Sequence, residues 1–168
     1  MSFIDDFDKR IPPEKRDLYL KMRGVSSSND TVAASNEVDP NLPRLDISWK
    51  EYIEDLEELA NRVGQLGSFS SLYGMAPHGI FPAMYLSYQL SKRLISGPEV
   101  VMELEESPES LLVVDGTCST GVSLLPYRVK AKTAVLYLEP SRFRSCTPEI
   151  AVLEVSGLIK FPYEKKVL

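Results

Sequence analysis

The chain has little cysteine. Cys118 and Cys146 are its only two, too few for a disulfide scaffold, and such sparing use fits a reducing compartment. Histidine and tryptophan occur once each, as His78 and Trp49. No apolar run approaches the length that spans a bilayer. The first residues, Met-Ser-Phe-Ile-Asp-Asp-Phe-Asp, carry acids where a secretory leader has a basic start and an apolar middle. These absences predict a cytoplasmic protein with no membrane partner. Long basic runs are missing too, and the formal net charge is −5, which argues against nucleic acid held by a general electrostatic patch. No segment repeats.

What is present fits a globular protein. Apolar residues make up 43% and charged residues 26% of 168 positions, enough for one domain with a sizeable core. Pro12 and Pro13 open a short helix over 12–23, supplied with Leu18, Leu20 and Met22 and stopped by Gly24. Residues 25–43 are polar and aperiodic, as in a linker or arm. Residues 1–44 therefore read as an appended helix with its linker, and 45–168 as the body.

Ser48 followed by Glu51 is a capping box, and Trp49, Tyr52, Ile53, Leu56, Leu59, Ala60 and Val63 repeat at helical steps, predicting a helix over 48–64. Strands are expected at Ser70 to Met75, Glu99 to Leu104, Leu111 to Asp115, Thr133 to Leu138 and Ile150 to Val155. Helices are expected at Ile80 to Leu94 and over 121–129. Glu105 to Ser110 reads as an acidic turn and the tail from Ser156 as irregular. Strands alternating with helices predict an α/β fold with a mainly parallel sheet.

Residues 111–123, Leu-Leu-Val-Val-Asp-Gly-Thr-Cys-Ser-Thr-Gly-Val-Ser, are the most informative stretch. A buried strand runs into a loop of small polar residues. Such a loop aims backbone N–H groups and hydroxyls at one point, which is how a phosphate is held. An ordinary strand-to-helix turn is the plainer reading, with Asp115 as a turn acid. Cys118 reads as a reactive thiol or, more simply, as a small packing residue. The acids at 103, 105, 106 and 109 read as a solvated face.

Two segments together resemble the type I phosphoribosyltransferases. Leu72-Tyr-Gly-Met-Ala-Pro-His-Gly-Ile-Phe-Pro-Ala resembles their pyrophosphate strand and loop. Leu112-Val-Val-Asp-Gly-Thr-Cys-Ser-Thr-Gly-Val-Ser resembles their phosphoribosyl-pyrophosphate (PRPP) motif. The spacing is most similar to the xanthine-guanine branch, and the likeness covers roughly residues 45–165. It implies an α/β sheet flanked by helices, PRPP or a nucleoside monophosphate as ligand, a nucleobase as co-substrate, Mg²⁺ as cofactor, and a homo-oligomer. It places Asp115 near the ribose hydroxyls or their Mg²⁺ shell. Ser119, Thr120, Gly121, Val122 and Ser123 fall around the 5′-phosphate, and Ala76, Pro77, His78 and Gly79 at the pyrophosphate. Glu139, Leu158 and Ile159 fall at the base.

The departures carry information as well. The family's second acid is Gly116 here. Ser119 stands at the catalytic position of an acid that exchanges a proton with the base, and a hydroxyl is no general base near neutrality. Pro77 replaces a basic residue, with His78 beside it. The mobile cover is shortened to Glu103–Ser110. Glu139 replaces a lysine, which reverses hydrogen-bond polarity at the base. Two functions follow: a phosphoribosyltransferase acting through oxocarbenium-like charge with pyrophosphate as leaving group, or a nucleotide-binding regulator on the same fold. The first is preferred because the fold class is predominantly catalytic. Hydrolysis of a nucleotide's glycosidic bond is a third, weaker expectation.

Overall fold

The structure, a computed structural model, describes residues 41–139 and 144–164. The helix expected over 12–23 and most of the linker lie outside the described residues.

The body opens with β1 (Arg44–Asp46) and α1 (Trp49–Gly64). The capping box forms: Ser48 N–H donates to Glu51 Oε2 at 2.8 Å, and Glu51 N–H to Ser48 Oγ at 3.2 Å. Tyr52, Leu56, Leu59 and Val63 are fully buried along one stripe, each contributing about 1.5–3 kcal/mol.

Then come β2 (Ser71–Gly74), α2 (Ile80–Leu90) and β3 (Arg93–Leu94). Pro82 sits in the first turn of α2, where its missing N–H has no partner to lose. The helix stops short of Leu94 because Ser91 turns left-handed at φ 51°, and Arg93–Leu94 pairs beside β2.

The stretch expected as a strand at Glu99 to Leu104 is instead helical, within α3 (Gly97–Glu106). The Glu99 carboxylate takes both the backbone N–H and the hydroxyl of Ser96 at 3.0 Å, and Pro98 lies in the first turn. Val100, Val101 and Leu104 then face inward together.

The remaining strands are β4 (Leu111–Cys118), β5 (Lys132–Leu138), β6 (Ile150–Glu154) and β7 (Leu158–Lys160). β4 continues three residues beyond Asp115. The helix expected over 121–129 is a 3-10 turn, Val122–Leu124, followed by one turn of α-helix, α4 (Leu125–Arg128). From Ser156 to Glu164 the tail forms regular structure, where an irregular one was expected. β7 pairs in parallel with β1, Leu45 against Ile159, and a 3-10 turn, Pro162–Glu164, follows.

The main sheet is parallel throughout in the order β3-β2-β4-β5-β6. Both faces are covered, as a parallel sheet requires. Leu112 and Val114 point to the α1–α2 side, Leu111 and Val113 to the side of α3 and α4. From β2 the chain first moves outward to β3 and then returns to β4 on the other side. The crevice between the carboxyl ends of β2 and β4 is therefore the topological switch point. Among the described residues, no helix is long and apolar enough to cross a membrane.

The acidic segment Glu103–Ser110 lies elsewhere. Glu103 Oε1 accepts from Ser71 Oγ at 3.0 Å, and Ser110 O from Ser70 N–H at 2.9 Å. Both contacts are at the amino ends of β2 and β4. The segment is packed at the end of the sheet opposite the switch point and does not cover the crevice.

Candidate functional site

The loop after β2 runs from Met75 to Gly79. It is tied to β4 by Met75 N–H on Val114 O at 2.9 Å, and closed on itself by Gly79 N–H on Met75 O at 2.7 Å. Ala76 and Pro77, joined by a cis peptide, are exposed. His78 points the other way. Its ring stacks on Phe161 at 4.7 Å and 17°, and Phe161 stacks on Tyr163 at 5.1 Å and 11°. His78 Nδ1 lies 3.1 Å from the Tyr163 hydroxyl and Nε2 3.7 Å from Glu164 Oε1. Glu164 Oε2 in turn accepts from Phe161 N–H at 2.8 Å.

This stack lies against Gly116. A Cβ on Gly116 would meet His78 Cβ at 2.6 Å and Phe161 Cζ at 2.8 Å. No side chain fits there.

A cavity of about 310 Å³ opens between the two sheets. His78, Thr117 and Glu139 form one wall, and Arg44 with the run from Leu158 to Phe161 and Glu164 the other. Glu139 is buried, and its Oε1 accepts from Ile159 N–H at 3.0 Å. Burial pushes the Glu139 carboxyl up, opposed by the Ile159 N–H and by nearby His78. Asp115 sits beside this wall. Burial pushes its carboxyl up to about 7, against the N–H groups of Gly116 and Thr117; the charge of Glu139 adds to the rise. Gly116 N–H donates to Asp115 Oδ1 at 2.7 Å.

The loop after β4 is held separately. Gly121 has φ +75°, and a Cβ there would lie 2.0 Å from Cys146 O. Ser145 N–H donates to Thr120 O at 2.7 Å. Arg144 bridges the two parts of the site: Nε donates to Ser119 O at 3.2 Å and Nη2 to Glu139 O at 2.7 Å. Ser119 Oγ is buried with no hydrogen-bond partner. Cys118 is buried 3.8 Å from Cys146 O, and burial pushes its thiol up to about 11. It is a packing residue and an unreactive one.

Searches of solved structures return proteins of this same architecture. A purine phosphoribosyltransferase from Pyrococcus horikoshii Ot3 superimposes with a TM-score of 0.57 at 18% identity, covering 74% of this chain and 96% of that one. A xanthine-guanine-hypoxanthine phosphoribosyltransferase from Helicobacter pylori gives 0.57 at 16%, covering 73% and 94%. A hypothetical protein from Neisseria gonorrhoeae with bound ppGpp gives 0.59 at 16%, covering 74% and 90%. The chain has the type I phosphoribosyltransferase fold. At these identities the likeness is one of fold alone, and no family model matches the sequence.

Set on the phosphoribosyltransferase fold, the expected site residues separate into two groups. His78, Glu139, Leu158 and Ile159 line one cavity. Ser119 to Ser123 do not line it; they form the neighbouring loop, joined to it through Arg144 and β4. Asp115 stands beside the cavity wall, close enough to Glu139 for the two carboxyls to interact. Among the described residues, no group of three or more His, Cys, Asp or Glu side chains converges as a metal site.

Sequence reasoning missed Arg144, Phe161 and Tyr163. The aromatic run Phe161-Pro-Tyr-Glu was a signal for the last two, since large rings gain most from burial. Arg144 had none; its role depends on two backbone carbonyls that no pattern records.

Proposed function

We propose that this chain binds a phosphorylated nucleoside or sugar through the loop Ser119–Ser123, and that it is a binding protein rather than a phosphoribosyltransferase. The observation that carries this reading is the His78–Phe161 stack over Gly116. It fills the place of the second acid that the resemblance calls for, so the loss is built into the packing and is more than a single substitution. The loop meanwhile keeps the features an oxyanion needs: the tight turn at Gly121, a buried hydroxyl at Ser119 without a partner, and an arginine anchored beside it. The ppGpp-bound Neisseria protein supports the same direction. Mg²⁺, in this reading, arrives on the ligand's phosphates.

Calorimetry with nucleoside monophosphates, ppGpp and PRPP, beside a PRPP-consumption assay across the common bases, tests it. Binding without consumption is the expected result. Consumption of PRPP with any base overturns the binding-only reading, and absence of all binding overturns the site.

One observation favours the transferase. The Asp115 carboxyl, pushed up to about 7, is able to exchange a proton near neutrality. If PRPP is consumed and Asp115→Asn abolishes it, that reading replaces the first.

A further inference from the structure

Glu139 is fixed on three sides. Its N–H donates to Cys118 O at 2.9 Å, its own carbonyl accepts from Arg144 Nη2 at 2.7 Å, and its Oε1 accepts from Ile159 N–H at 3.0 Å. The residue is only 8% exposed, yet it lines the cavity between the two sheets. Among the described residues no other group donates to its carboxyl, so Oε2 has no partner. A buried polar atom is normally paired, and an ionised carboxylate can accept about four hydrogen bonds, so Oε2 is an open acceptor held still by its neighbours.

The rest of the lining is mostly apolar or already engaged. Leu158, Ile159 and the ring of Phe161 are apolar, and His78 lies stacked on Phe161. Glu164 accepts from Phe161 N–H at 2.8 Å, and Lys160 lies 3.5 Å from Asp46 Oδ1. The Thr117 hydroxyl can donate or accept and so imposes no choice. Arg44, on the opposite wall, is exposed, so a bond to it is screened by water where one to Glu139 is not. At about 310 Å³ the cavity is at the lower end of small-molecule pockets, roughly 300–1,000 Å³, which suits one flat heterocycle. The loop after β4 begins beside it. Ser119 directly follows Cys118, whose carbonyl holds Glu139 N–H, and Arg144 grips both Ser119 O and Glu139 O.

We propose that Glu139 selects the base: the cavity takes a ring with an exocyclic amino group, as in adenine and cytosine, whose N–H donates to Oε2, and it rejects the oxo counterpart. This rests on the reading that the Ser119–Ser123 loop holds the ligand's phosphate. An oxo base can offer its ring N–H, but its carbonyl then faces a second acceptor. Glu139→Gln should reverse the choice. Ile159 N–H claims the amide oxygen, which turns the amide NH₂ toward the cavity and puts a donor where the acceptor was.

Calorimetry compares AMP with IMP and CMP with UMP, in wild type and in Glu139→Gln, with ribose 5-phosphate as the base-free control. In at least one pair wild type is expected to bind the amino member about tenfold or more tightly. Glu139→Gln is expected to abolish or reverse that preference, whereas a merely structural role would weaken both members alike and leave their ratio as it was. Equal or weaker binding of the amino member in both pairs overturns the proposal, and so does a preference that survives in Glu139→Gln. If ribose 5-phosphate and all four nucleotides fail to bind, the phosphate reading falls. Free adenine against hypoxanthine, followed by ligand-observed NMR, then decides the cavity by itself: tighter binding of adenine sustains the proposal, and any other result overturns it. Should Glu139→Gln not fold, the wild-type pairs decide alone.

Discussion

Gly116 and His78 occupy one another's space: the Cβ that Gly116 lacks would lie 2.6 Å from His78 Cβ. A carboxylate on residue 116 and the His78–Phe161 stack are therefore alternatives. Gly116→Asp should destabilise the protein by about 1–3 kcal/mol through overpacking, and should not by itself create PRPP turnover. Urea unfolding with a parallel PRPP assay checks both halves. A stable Gly116→Asp protein would show that the stack moves aside easily.

Gly121 closes the Ser119–Ser123 loop, proposed above to hold phosphate, at a positive φ with Cys146 O immediately against it. Gly121→Ala is strained in backbone and blocked in space, so a loss of about 2–4 kcal/mol is expected. Binding of nucleoside monophosphate should fall at least tenfold while the far-UV spectrum persists. Unchanged affinity would move the ligand away from this loop.

Asp115 gives stability a pH dependence with a definite sign. Its carboxyl lies at about 7 in the fold, and near about 3.9 in an unfolded chain. The folded state holds that proton more tightly, so the associated stability is full below about pH 4 and is lost as pH rises through about 7. Asp115→Asn keeps an acceptor for the Gly116 N–H and removes the titration. The variant should gain on wild type between about pH 4 and pH 7, ending about 1–3 kcal/mol more stable. A difference in urea midpoint that does not vary with pH would show that the carboxyl titrates normally.

Glu139 ties the cavity walls together through Ile159 N–H. Glu139→Ala leaves that donor unpaired and should cost about 1–3 kcal/mol, whereas Glu139→Gln retains an acceptor and should cost less than about 1 kcal/mol. Equal losses would mean that charge, and not the hydrogen bond, is what matters at this position.

Local signals in the sequence were read well where they were self-contained. The capping box at Ser48 and Glu51, the apolar stripe from Tyr52 to Val63 and the buried run at Leu111 each specify an element without distant help. At Glu99 to Leu104 two local signals compete, and the helical one prevails. Ser96 stands three residues before Glu99, the same start signal that identified α1, but the adjacent Val100, Val101 and Met102 imitate a strand. The tight turn at Gly121 was legible because it lies within one segment. The His78–Phe161 stack, the Glu139–Ile159 bond and the pairing of β7 were not, because each joins segments far apart in the chain. Nothing near Leu158 announces that its partner is Arg44.

That last pairing sets an order of events. β1 and β7 meet only when the beginning and the end of the body come together, and each is three residues long. Between them they carry one wall of the cavity, and the turn after β7 carries Tyr163 and Glu164. This two-stranded pairing is short and should exchange its amide hydrogens ahead of the five-stranded sheet. If that exchange is seen, the cavity can be unlatched while the platform beneath it stays intact, and the proposed ligand has a way in and out that leaves the rest of the protein folded.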